Sequence, residues 1–185
     1  MKTAIASLKS ISPYSQSRYH DTDKLNKELP KDYEARTWRE RLHVNPEGNV
    51  FIPPMALKNC LSDVAKFIGM QIPGKGKSTY TKHFEAGVLV MEPVVLPIKK
   101  DEVKSEWLFV PSDGVRGGGK RVQKCFPIIH EWMGDATFYI LDETITEDVF
   151  IHHLEEAGNF IGIGRFRPRN NGFYGRFQVT DVAWS

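Results

Sequence analysis

Pro53-Pro54 opens a stretch of about 14 residues in which Met55, Leu57, Leu61, Val64 and Ile68 recur at helical spacing, with Cys60 and Phe67 beside them. Gly69 follows, the residue best able to take the left-handed conformation that stops a helix. The spacing predicts a helix over 55–68, and its apolar stripe demands a layer to pack against. The first candidate for that layer is Lys2 to Ile11, which reads as a strand ending at Ser12-Pro13. On it Ala4, Ala6 and Leu8 would face one side, and Thr3, Ile5 and Ser7 the other. At 185 residues and 41% hydrophobic content the chain can bury one core, which excludes wholesale disorder.

Other signals are shorter. Asn45-Pro46-Glu47-Gly48 is a turn tetrapeptide, predicting a hairpin between 38–44 and 49–52. Tyr14 to Ala35 lacks periodicity and reads as a long polar loop, and Gln71 to His83 as a basic loop with glycines. Strands are expected near 86–91, 94–98, 107–110, 125–129, 136–141 and 173–182. Thr144-Ile-Thr-Glu147 reads as a capping box for a helix running to about Ala157 and closed by Gly158. Strand, helix, strands, helix, strand is the split βαβ order. The expected class is therefore α+β: a ferredoxin-like antiparallel sheet with helices on one face and the other face free for a ligand. It would form one domain, 1–185, with insertions at about 13–48 and 70–130.

Several functions are excluded at this level. No apolar run reaches the roughly 20 residues of a membrane span. The N-terminal residues make a poor signal peptide, so a cytoplasmic protein with no membrane partner is expected. Cys60 and Cys125 suit neither a disulfide framework nor a zinc knuckle, and the adjacent His152 and His153 would point about 100° apart on a helix. No metal or cofactor is expected. Gly69 to Lys75 imitates a phosphate loop, but Gly76 stands where Ser or Thr is needed, so nucleotide hydrolysis is rejected.

Charge placement carries more than net charge. Residues 131–160 hold eight acids and no base, and residues 161–180 four arginines and no acid. The arginines either meet an anionic partner or pair with the acidic stretch before them. Gly162, Gly164, Gly172 and Gly175 let a backbone approach a ligand closely. Arg165, Arg167, Arg169 and Arg176 supply forks for phosphate, and Phe166, Phe173 and Tyr174 supply faces for unpaired bases. That combination suits single-stranded nucleic acid. Basic loops around Lys75, Lys77 and Lys82 and around Arg116, Lys120 and Arg121 suit the same partner. A catalytic alternative rests on His20, Asp21 and Asp23, which have the acid–base chemistry for phosphodiester cleavage. A third reading makes the arginine segment a docking element for an acidic protein.

Asn45 through Cys60, read on to Lys66, resembles the signature of the RAMP superfamily of CRISPR-associated proteins: a turn, a short strand ending in Ile-Pro, and a small-residue helix start. Ile52-Pro53 and Leu57-Lys58 match it, while Ala56 and Asn59 replace the usual Ser and Gly. Ile11-Ser12-Pro13 is similar to the family's Ser-Pro step, and residues 162–176 to its C-terminal glycine-rich loop. The similarity is greatest to the guide-RNA-binding backbone subunits of type I and type III effector complexes, although this chain is shorter. The resemblance implies an RNA-recognition-like palm, a thumb made by an insertion, and a sequence-independent grip on single-stranded RNA, guide RNA included. It further implies association with copies of itself or with effector subunits, in a host complex or as a phage-borne anti-CRISPR mimic. A non-catalytic binder is the first expectation and a metal-independent endoribonuclease of the CRISPR kind the second. With Arg18, Lys58 and Asn59 added, the expected RNA contacts are these three, the glycine-rich segment's residues and the two basic loops.

Overall fold

The computed structural model describes residues 1–115, 117 and 119–185. In chain order the elements are β1 (Lys2–Ser10), α1 (Pro30–Thr37), β2 (Asn49–Ile52), α2 (Pro54–Ile68), α3 (Thr81–Gly87), β3 (Val88–Leu89), β4 (Val94–Lys99), β5 (Lys104–Pro111), β6 (Arg121–Ile128), β7 (Met133–Ile140), α4 (Glu147–Glu156) and β8 (Phe177–Trp184). Four strands form the main sheet in the order β3-β7-β1-β8. Every pairing is antiparallel; Ala6 of β1, for example, faces Ala136 of β7 and Val182 of β8. β1 and β3 are therefore parallel with β7 between them, and β7 and β8 are parallel with β1 between them. These are two split βαβ units, the ferredoxin-like arrangement.

The β1 alternation is the predicted one. Ala4, Ala6 and Leu8 are buried with Leu57, Leu61 and Val64 of α2 and Phe150 and Leu154 of α4. Gly69 ends α2 in the left-handed region at φ 58°. Two smaller ladders carry the insertions: β2 pairs with β4, and β5 with β6. No helix among the described residues is long and apolar enough to cross a membrane.

Several local expectations are corrected. The predicted hairpin is shorter than expected: residues 38–41 form a 3₁₀ turn, Val44 bridges Val50 with the Phe51 N–H donating to His43 O, and β2 also pairs with the distant β4, Phe51 opposite Val95. The 45–48 turn itself is present: the Gly48 N–H donates to Asn45 O, and the Asn49 N–H to the Asn45 side chain. The supposed loop 14–35 contains the start of α1, whose inward residues are Glu34 and Thr37. A helix that buries a carboxylate has no apolar stripe for periodicity to detect. The 71–83 loop ends in the first turn of α3, which shortens the expected 86–91 strand to Val88–Leu89. Met55 and Phe67 are exposed rather than core, and Phe67 stacks on Phe160 at 5.5 Å. At α4 the capping box does not form, since Thr146 is the N-cap and makes no side-chain cap bond. Gly158 does not stop that helix; the chain widens into a π turn over 157–161, and a Cβ at Gly158 would overlap the Phe177 carbonyl. Its glycine serves close helix–strand approach.

Candidate nucleic-acid interface

Beyond β1 the chain turns at Pro13 and runs buried through Tyr14, Ser15 and Gln16. Gln16 ties this segment to β2 and its flank: its amide donates to Phe51 O at 2.7 Å, and its Oε1 accepts the His43 N–H at 2.6 Å. Burial drives the Tyr14 hydroxyl well above its ordinary pKa, partly offset by the bond from Gln16. The glycine-rich segment folds back along the same stretch. Arg165 N–H donates to Ser15 O at 2.8 Å, and Gly175 N–H to Pro13 O at 2.7 Å. Gly164 sits at φ +76°, and a Cβ there would press into Ser15 O and the Tyr14 ring at 2.5 Å. At this position the glycine admits neighbouring protein, where the sequence reading had it admit a ligand.

Between these parts and the start of α2 lies a cavity of about 300 Å³, lined among others by Ser17, His43, Pro53, Ala56, Gly164 and Arg165. The first turn of α2 carries no acid, so its dipole presents positive potential to the cavity; Pro53 and Pro54 bring no N–H there, and the Ala56 N–H already donates to Pro53 O at 2.9 Å. Arg165 is the cation there. Its Nη2 pairs with Glu106 at 2.5 Å, its Nε donates to Ser15 Oγ at 3.1 Å, and its guanidinium lies 3.9 Å over the Phe126 ring. Burial, and then the charge of Arg18, hold His43 below the ordinary histidine range, so a neutral ring faces the cavity at pH 7.

Beside it, Phe166, Phe173 and Tyr174 form a cluster of tilted rings with centroids 4.6–6.1 Å apart. Phe166 is 44% and Phe173 55% exposed, while Tyr174 is buried and donates its hydroxyl to Glu106 at 2.7 Å. Burial and that bond push the Tyr174 pKa up to about 12. Phe166 adopts φ 60°, a left-handed backbone that costs an aromatic residue about 1–2 kcal/mol. Tyr174 N–H on Phe166 O and Gly172 N–H on Arg167 O, both at 3.0 Å, hold it there. A strained, exposed aromatic next in sequence to the cavity's arginine has the properties of a base platform.

The other expected contacts are scattered. Arg167 pairs with Asp63 of α2 at 3.5 Å, Arg176 donates to the Asn159 carbonyl, and Arg169 is exposed. Among the described residues none of the four arginines pairs with a carboxylate of 131–160, so the acidic stretch is not their partner. Arg18 donates to Glu40 O at 3.4 Å, next to Ser17 at the cavity. Lys58 is spoken for: its ammonium donates to Ser62 Oγ, Phe84 O and Glu85 O at 2.8–2.9 Å, capping the end of α3, while Asn59 is exposed. Lys75 and Lys77 lie beyond the far end of α2, whose 15 residues span about 22 Å. Lys120 and Arg121 are exposed at the β5–β6 end, where Arg121 donates to Phe109 O. Arg116 lies outside the described residues.

The catalytic candidates do not assemble into an acid–base pair. His20 Nδ1 is 3.2 Å from Thr22 Oγ1 and its Nε2 3.5 Å from Arg41 Nη1. Burial, then Arg41, lower its pKa. Asp21 and Asp23 are exposed and their side chains form no bond among the described residues. No cluster of His, Cys, Asp or Glu among the described residues is placed to hold a metal ion. Sequence reasoning missed Gln16, Ser17, His43 and Glu106. Only His43, just ahead of the 45–48 turn in the matched segment, carried a positional hint.

In this ferredoxin-like palm the glycine-rich loop folds against the 14–17 segment and lines the cavity at the start of the first sheet helix. Two solved structures share this fold. A chain of the type III-B Cmr-beta complex bound to cognate target RNA superposes with a TM-score of 0.58 at 10% identity, over 99% of this chain and 60% of that one. Cmr6 from Pyrococcus furiosus gives 0.51 at 13% identity, over 97% of this chain and 99% of Cmr6. This chain thus spans about three-fifths of the Cmr-beta chain and the whole of Cmr6's length. No protein-family profile and no curated protein matches the sequence.

Proposed function

We propose that this chain is a non-catalytic, single-stranded RNA-binding subunit of a CRISPR effector complex, acting in the cytoplasm as one RNA-binding unit over residues 1–185. The carrying observation is the cavity of about 300 Å³ where Arg165, the start of α2 and the 14–17 segment converge. A helix dipole and a guanidinium attract a phosphodiester without reading a base. His43 and the exposed Phe166 and Phe173 rings offer stacking that tolerates any base. The fold of an RNA-bound effector's subunit supports the same assignment. In this reading the 13–48 insertion walls the cavity and the β5–β6 hairpin is the thumb. Copies or effector subunits line up along guide RNA, and the same grip would serve a phage-borne mimic.

The test is a titration of an RNA of about 30 nucleotides over a salt series. Log affinity should fall linearly with log salt, by about 0.7 per phosphate neutralised. Arg165→Ala should weaken binding by about tenfold with little dependence on sequence. Absence of binding, or an affinity insensitive to salt, would overturn the proposal.

A further inference from the structure

Arg165 does not stand free in the cavity. Glu106 Oε1 accepts from its Nη2 at 2.5 Å, while Oε2 accepts the Tyr174 hydroxyl at 2.7 Å. The pair sits at the margin of solvent, with the arginine side chain 14% and the glutamate side chain 18% exposed. Glu106 lies opposite Phe126 on the β5–β6 hairpin, and Phe126 is the ring beneath the guanidinium. One carboxylate therefore joins the cation of the cavity, the tyrosine of the glycine-rich loop and the base of the hairpin.

A carboxylate and a phosphodiester present the same acceptor oxygens to a guanidinium fork, so they compete for it. While Glu106 holds Arg165, the charge seen by an anion in the cavity is largely cancelled. A lone anion gains little by displacing the carboxylate. A strand already held at the start of α2 and on the exposed rings presents its phosphate at high effective concentration, and for it the exchange is favourable.

Resting on the RNA-binding reading above, we propose that Glu106 is a specificity-determining gate: it masks Arg165 from isolated anions and yields it only to a polynucleotide strand. No covalent step is involved; one ion pair is exchanged for another, and the freed carboxylate becomes solvated.

The experiment compares wild type, Glu106→Gln, Arg165→Ala and the double variant, all full length, against a 12-nucleotide RNA at fixed salt. Glu106→Gln keeps the acceptor shape and removes the charge. It should tighten RNA binding by about five- to tenfold. That gain should vanish in the Arg165→Ala background, because the gate acts through Arg165. Inorganic phosphate, titrated as a competitor, should displace the RNA at lower concentration from Glu106→Gln than from wild type. An unchanged or weakened affinity in Glu106→Gln, or an equal gain without Arg165, would overturn the gate while leaving RNA binding intact. Should wild type bind no RNA, the functional reading fails separately. The gate is then judged by amide exchange at residues 104–108 and 172–175, which must rise in Glu106→Gln and otherwise refutes it.

Discussion

Two carboxylates fasten the β5–β6 hairpin to the rest of the chain, and they work in different surroundings. Glu34 of α1 is 3% exposed and accepts three donors: Lys124 Nζ at 2.6 Å, Arg41 Nη2 at 3.1 Å and the Cys125 N–H at 3.2 Å. Glu106 accepts two, and its main partner lines the cavity. In the first case the carboxylate and Arg41 are paired away from water, with only Lys124 reaching solvent, so removing Glu34 strands a buried guanidinium. In the second the competing ligand has direct access, so the same kind of pair can open. The contrast separates an anchor from a gate, and burial rather than residue type makes the distinction.

The largest effect should come from breaking the anchor. Glu34→Ala leaves Arg41 buried and uncompensated and should cost about 3–5 kcal/mol in urea unfolding. Glu106→Ala should cost less, about 1–3 kcal/mol, because its carboxylate is 18% exposed against 3% for Glu34. Equal losses would erase the contrast.

A smaller effect is set by pH. Burial alone would raise the Glu34 carboxyl, but the bonds from Lys124 and the Cys125 amide, with the charge of Arg41, hold it below its ordinary 4.5. A carboxylate lowered in the folded state contributes stability that is fully present above 4.5 and lost as pH falls through the lower folded value. Urea midpoints measured downward from pH 6 should therefore drop below pH 4.5 in wild type, and less steeply in Glu34→Gln. Identical profiles would mean that Glu34 is not the anchor.

The smallest effect sharpens the other side of the comparison. Lys75→Ala with Lys77→Ala should change RNA affinity by less than about threefold, against about tenfold for Arg165→Ala. A loss as large as that of Arg165 would carry the RNA path along the whole of α2 and make the cavity only one end of it.

How far the fold was readable follows the range of the forces involved. The 55–68 periodicity with Gly69, and the β1 alternation of Ala4, Ala6 and Leu8, are local patterns imposed by one buried face, and both are realised. α1 was unreadable because its inward residue is a carboxylate, sensible only once Arg41 and Lys124 arrive from elsewhere in the chain. Lys58 looked free for RNA for the same reason, its acceptors on α3 being 26 and 27 residues away. The aromatic, arginine and glycine content of 162–176 pointed to a segment that does line the cavity, yet the setting of its one cavity-lining arginine depended on Glu106, 59 residues earlier.

From its residues alone, then, this chain determined which segments are helix or strand where an apolar face repeats, and the split βαβ order that leads to a ferredoxin-like sheet. Only the tertiary structure decided which charged groups are neutralised inside and which remain available. Apolar burial leaves its mark in local spacing, whereas the fate of a charge depends on partners that folding brings together from anywhere in the sequence.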